Sequence, residues 1–206
     1  MKKFYFILFL FACAGNLFSA PLYRAGETKS PAADFYRWEV GADYIYSFMG
    51  LKDRFGSNAL RGTQGIGVRV LYNLTPYIGV GAEGSHFFGQ SFGNFVSKYE
   101  QDRAGVLLKL TLSPDVSPRV YGVLGIGKSR HRFVYRKTPA TLHWKNGTSS
   151  ATYLQAGLGA ETDIWKNFFI GAEGDFNYHP TTSLNFYYRL KRKWAFSGRL
   201  RIGVRF

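Results

Sequence analysis

Two pairs of carboxylates, Glu161 with Asp163 and Glu173 with Asp175, are spaced two residues apart. On a β-strand, whose side chains repeat every second residue, both members of each pair face the same way. Paired carboxylates can divide the acid and base roles of a hydrolytic reaction. The histidines His86, His131, His143 and His179 are the other groups able to exchange protons near neutral pH. They are scattered, and neither HExxH nor G-x-S-x-G occurs. The densest cluster is "HPTTS", His179 to Ser183, which reads more simply as a strand-end histidine beside a Pro turn. A single Cys, at position 13, excludes an internal disulfide framework and a site of several thiolates. Whether the carboxylates do chemistry or merely pair with cations depends on what faces them.

The chain supplies cations in the same pattern. It closes with "SGRLRIGVRF", in which Leu200, Ile202, Val204 and Phe206 alternate with Arg199, Arg201, Gly203 and Arg205. One face of that strand is apolar and the other carries three guanidinium groups. Seven earlier segments alternate likewise: "YRWEVGADYIY", "QGIGVRVLYN", "YIGVGAEGSHFF", "DRAGVLLKLTL", "RVYGVLGIGK", "TYLQAGLGAETDI" and "FFIGAEGDFNYH". In "RVYGVLGIGK" the pattern is least clean, because Tyr121 and Val123 fall on the face that holds Gly125 and Gly127. Connections alternate as well. Short turns at 73–76, 113–118 and 165–167 separate longer stretches at roughly 48–61, 89–101, 129–149 and 180–192.

The first 20 residues stand apart. Lys2 and Lys3 precede "FYFILFLFA" and then small residues, which reads as a secretory signal cleaved after Ala20. Ala14 offers a second site, and "LFAC" resembles a weak lipobox that would lipidate Cys13. Residues 21–34 form a flexible leader, leaving 35–206 as one domain. Beyond the signal, no apolar run reaches the roughly 18 residues of a membrane-crossing helix. Aromatic residues make up 18% of the chain and Gly occurs 24 times, which favours a β protein with tight turns.

Period-two alternation fits a soluble sandwich, a barrel with an oily lumen, or a membrane barrel with its apolar face outward. An Arg facing lipid near the midplane costs roughly 2–4 kcal/mol, so in a membrane the ionic face must line the lumen. That face carries Arg37, Arg69, Arg103, Lys109, Arg199, Arg201 and Arg205 against Glu39, Asp43, Glu83, Glu161, Asp163, Glu173 and Asp175. Seven cations meet seven acids. A narrow interior demands such a balance, because unpaired buried charge is expensive. Aromatic residues at segment ends, among them Trp38, Tyr46, Tyr72, Phe88, Trp165, Tyr178 and Trp194, suit the two membrane interfaces. The expected fold is all-β, an eight-stranded antiparallel up-and-down transmembrane barrel with a polar, side-chain-filled lumen.

Eight alternating strands after a signal segment, the Gly-rich "YIGVGAEG" and "FFIGAEGDF", and the terminal "RIGVRF" resemble the small outer-membrane β-barrel family of OmpA/OmpX-like and opacity-type proteins. The resemblance covers about 35–206 and implies an outer-membrane location in a Gram-negative bacterium. It further implies that Leu200, Ile202, Val204 and Phe206 form the signal read by the outer-membrane assembly machinery. The peptidoglycan-binding domain of longer relatives is not expected, because the chain stops at the last strand.

Removing two lysines with the signal takes the formal charge from +14 to +12. With the lumen balanced, the surplus must lie outside it. Lys128, Arg130, Arg132, Arg136, Lys137 and Lys145 form one cluster, and Arg189, Lys191, Arg192 and Lys193 a second. Basic clusters at an outer-membrane surface face lipopolysaccharide phosphates, and host or surface glycans are further polyanions they suit. The partial alternation in "HRFVYR" and "ATLHWK" suggests that strands five and six project as a hairpin. A monomer with a structural or surface-binding role is expected, with no cofactor, no nucleic-acid partner and no enzymatic activity. The alternatives are a lipid-modifying outer-membrane enzyme, a narrow pore for small solutes, and a soluble periplasmic barrel.

Overall fold

The computed structural model describes residues 35–53, 58–60, 62–92, 95–137, 146–184 and 188–206. The expected signal and leader, together with His143 and Lys145, lie outside the described residues. In chain order the strands are β1 (Trp38–Ser47), β2 (Leu51–Asp53), β3 (Asn58–Leu60), β4 (Thr63–Asn73), β5 (Ile78–Phe92), β6 (Val96–Thr111), β7 (Arg119–Tyr135), β8 (Gly147–Trp165), β9 (Phe168–Tyr178), β10 (Tyr188–Leu190) and β11 (Trp194–Arg205). Eight of them close into a barrel in the order β1-β11-β9-β8-β7-β6-β5-β4, every pairing antiparallel. Closure leaves no strand edge for lipid to satisfy, which is the condition for crossing a bilayer with strands.

The register fixes the tilt. Directly paired residues run from Trp194 through Tyr178, Leu154, Ile126, Val106, Ala82, Val70 and Val40 back to Val204, ten residues further along the same strand. With about 3.3 Å per residue and about 4.8 Å between strands, that stagger tilts the strands by roughly 40°. The same path descends from the aromatic ring at the long-loop end, where Tyr178 and Trp194 pack at 4.8 Å. It ends near the short-turn ring, where Trp38 and Tyr72 pack at 5.0 Å.

Side chains divide as a membrane barrel requires. Val106 and Leu158, on the outer face, are 60% and 69% exposed, whereas Arg69, on the inner face, is 1% exposed. The short turns are tightly made. Thr75 Oγ1 accepts hydrogen bonds from the backbone N–H groups of Tyr77 and Ile78, closing the β4–β5 connection.

The long-loop end differs in part from the expectation. Strands β5 to β8 run well past the aromatic ring, so that β5 and β6 take in much of the connection expected at 89–101. Strand β7 carries the alternating "HRFVY" outward, as the expected projection of strands five and six requires; "ATLHWK" lies outside the described residues. The stretches 48–61 and 180–192 contribute a separate sheet, β10-β2-β3. Met49, Leu51, Leu60, Leu184, Tyr188 and Leu190 from these stretches are buried with Tyr99, Phe133 and Tyr135 of the extended strands. Phe133 stacks on Tyr188 at 5.3 Å. Extending the strands lengthens their inward rows too, and this apolar cap covers them.

The inward glycines follow from ring volume. Tyr121 and Val123 point into the lumen beside Gly125 and Gly127, so the segment that breaks the apolar-outside pattern supplies filling. A Cβ on Gly127 would lie 2.6 Å from the Tyr153 hydroxyl, and one on Gly105 2.8 Å from it. Gly198 has nothing within 4 Å of such a position. Gly127→Val is therefore expected to destabilise the barrel by about 1–3 kcal/mol, seen as a lower urea midpoint in detergent micelles. Gly198→Ala is expected to leave that midpoint unchanged.

Candidate functional site

Strand alternation turns one row from each barrel strand into the lumen, and the ionic residues collect there in two layers. In the central layer, Arg69 on β4 grips Glu173 on β9 through both terminal nitrogens, at 2.7 and 2.8 Å, and reaches Glu83 on β5 at 2.9 Å. Arg199 on β11 pairs with Asp175 at 2.5 Å, Glu83 at 2.9 Å and Asp43 at 3.4 Å. Its neighbour Arg201 pairs with Asp43 at 2.6 Å and Glu173 at 3.5 Å. Nearer the short turns, Lys109 bridges Glu39 at 2.9 Å and Glu161 at 2.7 Å. Arg205 joins Glu39 at 3.3 Å and Glu161 at 2.6 Å, and it also pairs with Asp163. Leu71, Leu107, Tyr121 and Val123 form a buried apolar cluster.

Both carboxylate pairs singled out in the sequence therefore face cations. Glu161 meets Lys109 and Arg205, Asp163 meets Arg119 and Arg205, Glu173 meets Arg69 and Arg201, and Asp175 meets Arg199. A carboxylate held by guanidinium groups is a poor general base, and the bidentate Arg69–Glu173 contact is the strong form of such a pair.

Two cations depart from the sequence assignment. Arg37 precedes β1, is exposed, and lies over the Phe35 ring at 4.8 Å rather than in the lumen. Strand β1 begins at Trp38, so the alternation that would have turned Arg37 inward does not reach it. The seventh place belongs to Arg119, at the start of β7, which the sequence reading missed and which pairs with Asp163. Only its position at a turn distinguishes it in the sequence. Arg103 does face inward and is 4% exposed, but no carboxylate among the described residues lies within bridging distance. Its guanidinium sits over Phe87 at 4.6 Å, and Nη2 donates to Ser47 Oγ at 3.4 Å.

Among the described residues, the histidines are not assembled into a catalytic set. His179 is fully buried, whereas Ser183 is exposed and bridged to Arg189, so "HPTTS" is split between inside and outside. His86 lies on the outer face, 2.7 Å from Asp102. His131 makes a buried relay that the sequence did not suggest: Tyr99 Oη lies 2.8 Å from Nδ1, and Ser129 Oγ 2.9 Å from Nε2. Ser129 also donates to the Ala151 carbonyl at 3.1 Å. With its one proton committed there, Ser129 must accept from Nε2–H, and Nδ1 then accepts from Tyr99. The imidazole donates to the serine, the reverse of what a nucleophile needs.

The basic clusters occupy the outer surface. Lys128, Arg130 and Arg132 alternate outward along β7 just beyond Ile126, interleaved with the inward Ser129 and His131. Their partners on β8 are Thr152, Ser150 and Thr148. Glu100 takes Arg132 at 3.3 Å and Lys98 at 2.6 Å, and Asp102, across from Arg130, turns to His86. Arg136 and Lys137 follow β7, exposed. Arg189 lies on β10, and Lys191, Arg192 and Lys193 are exposed immediately before Trp194 of the outer aromatic ring. On β11, Leu200 and Ile202 are exposed on the lipid side and Val204 is half-buried; Phe206, just after the strand, is exposed too.

A closed wall, apolar outside and ion-paired within, defines an integral outer-membrane β-barrel protein. Residues 10–188 match the outer membrane protein beta-barrel domain family, and the chain belongs to it. No curated protein sequence matches the chain. Among solved structures it is similar to Neisserial surface protein A, with a TM-score of 0.57 and 14% identity over 82% of this chain and 97% of that one. It is also similar to Ail, the attachment invasion locus protein of Yersinia pestis, solved with the heparin analogue sucrose octasulfate. That match has a TM-score of 0.50 and 17% identity over 82% of this chain and 99% of that one. The family and the shared fold place the chain in the outer membrane.

Two tests follow from the interior. Removing one partner of a buried pair costs about 3–5 kcal/mol, so Glu173→Gln should lower the unfolding free energy in micelles by that order. Arg130→Gln, on the outer face, should not. Near the outer end, burial and the charge of Arg103 push His131 down to about 3 and His179 to about 4. In the unfolded chain each ring takes a proton near pH 6.5. The unfolded state thus binds protons first, and stability present above that pH is lost as pH falls towards the folded values. The urea midpoint should drop between about pH 7 and about pH 5, above the ordinary carboxylate range. The drop should be shallower in a His131→Asn/His179→Asn double variant.

Proposed function

We propose that this chain is a surface protein of the outer membrane whose basic outer rim binds the phosphates of lipopolysaccharide and, through the same cations, other polyanionic glycans. The observation that carries the reading is the column Lys128, Arg130 and Arg132, held outward on β7 where the apolar wall ends at Ile126. A cation at that height meets the phosphorylated headgroup level of the outer leaflet, not the medium. Thr152, Ser150 and Thr148 line up alongside and offer hydroxyl donors to the same oxygens. The second cluster, Lys191 to Lys193, emerges three strands away around the wall, beside the ring made by Trp194 and Tyr178. Cations beside interfacial aromatics suit a lipid–water boundary.

The heparin analogue bound to Ail supports the glycan half of the proposal, as a barrel of this fold carrying a sulfated sugar. The outward row ending in Leu200, Ile202, Val204 and Phe206 is, in the same reading, the segment recognised by the assembly machinery during insertion.

Each surface cation near an anionic membrane contributes about 1 kcal/mol. The triple variant Lys128→Gln/Arg130→Gln/Arg132→Gln should bind lipopolysaccharide on the order of 100-fold more weakly and with a flatter salt dependence. Binding that is unaltered in both respects would remove the rim from consideration.

A further inference from the structure

The lumen contains a third polar storey, between the central ionic layer and the apolar cap, several of whose polar atoms lack partners. Its continuity around the wall is traceable contact by contact. Arg103 reaches Ser47, Ser47 pairs with Ser197 across β1 and β11, and Asn177 Nδ2 donates to Ser197 Oγ at 3.3 Å. His179 follows two residues on, its ring 6.3 Å from Tyr153, and Tyr153 in turn lies 5.7 Å from the Arg103 guanidinium. Thr63 adjoins Ser47, and Gln101 stands two residues from Arg103 on β6.

Within this ring, eight buried polar atoms have no hydrogen-bond partner among the described residues. They are Arg103 Nε and Nη1, both amide atoms of Gln101, both ring nitrogens of His179, Asn177 Oδ1 and Thr63 Oγ1. Gln101, His179, Asn177 and Thr63 are fully buried. Native proteins satisfy buried polar groups, and a cluster left open marks the place of something else. Donors predominate: two guanidinium nitrogens, an amide NH2, a hydroxyl and one imidazole N–H.

Arg103 decides what that something is. A buried guanidinium without a counter-charge is among the costliest arrangements a protein can hold. Every other cation of the lumen network has a carboxylate, and the acids of the central layer are committed elsewhere. Glu83 gives one oxygen to Tyr153 and Arg199 and the other to Arg69 and Arg199. Asp175 is divided between Gln155 and Arg199. None of those contacts is made to Arg103. We propose that this storey is a binding site for a small inorganic anion of the halide class, held by Arg103 Nε and Nη1 with Gln101 and Thr63 as further donors. Water completes the remaining acceptors of Asn177 and His179. The cap above and the ionic layer below enclose the site, so the anion is taken up as the barrel folds.

Bromide is the probe. The full chain is folded into detergent micelles in sodium bromide and crystallised from the same salt, and data are collected at the bromine edge. The expected result is one ordered anomalous peak within hydrogen-bond distance of Arg103 Nε and Nη1, lost in Arg103→Gln. In solution, the wild-type melting midpoint should be higher in bromide than in gluconate at equal ionic strength. Gluconate is too bulky for an enclosed site, and Arg103→Gln should not distinguish the two salts. Solvent peaks at Arg103 without anomalous signal would show a water cluster only and overturn the proposal. So would a bromide site undiminished in Arg103→Gln. If that variant fails to fold, the wild-type map alone decides.

Discussion

The structure depends on pairing charge across the lumen. A barrel of eight strands leaves an interior only wide enough for its own side chains, and here those side chains are ionic. Such an interior holds together only while each acid meets a cation, since a lone buried charge costs several kcal/mol. The partners are far apart in sequence. Arg69 and Glu173 are 104 residues apart, and Arg201 and Asp43 are 158 apart. The last strand is decisive. Arg199, Arg201 and Arg205 neutralise acids from β1, β5, β8 and β9. Among the described residues, Arg199 of β11 is the cation within bridging distance of Asp175, so that pair waits for β11 to dock between β1 and β9. The arginine row of the final segment therefore makes charge satisfaction and barrel closure the same event.

Volume imposes the second constraint. Arginines and tyrosines can cross so narrow a space only where the opposing wall gives way. Gly105 and Gly127 lie against Tyr153, Gly159 lies against Tyr121, and Gly41 has the Arg201 side chain over it. Small residues on the inner face are thus the complement of long ones, and their abundance in the sequence reflects filling as much as turning.

The barrel was legible because period two is a local property. Each segment states its own two faces, and the gathering of acids and cations on one of them says which is inside. What failed was local as well. Arg37 continues the alternation in writing, but strand β1 begins at Trp38, and only the Arg37 carbonyl still takes part, accepting from the Asn73 N–H; a sequence does not announce where a strand ends. Arg119 was missed because it opens a strand next to a proline-rich turn. Tyr121 and Val123 looked like errors in the pattern. They are inward filling, and only their spacing from Gly125 and Gly127 hinted at it. The relay of Tyr99, His131 and Ser129 joins β6 to β7, and although the alternation of "HRFVYR" marks the second strand, nothing local says which residue of the 89–101 stretch lies across from it. The cap sheet is built from strands of three residues, too short to carry a signal.

Carrying the strands beyond the bilayer has consequences on both faces. Inward, the added rows must be covered, and they are, first by the polar storey around Arg103 and then by the apolar cap. Outward, the same extension sets Lys128, Arg130 and Arg132 on a rigid hydrogen-bonded ladder instead of a loop. Alternate residues of a strand are about 6.7 Å apart, which fixes the separation of the three cations. Cations fixed at that spacing lose little conformational freedom on meeting an anion, whereas the same residues in a loop would have to be ordered first. One strand, β7, thereby serves two purposes through the parity of its residues. Its odd-numbered positions fill the barrel, and its even-numbered ones make the apolar wall up to Ile126 and the basic rim beyond it.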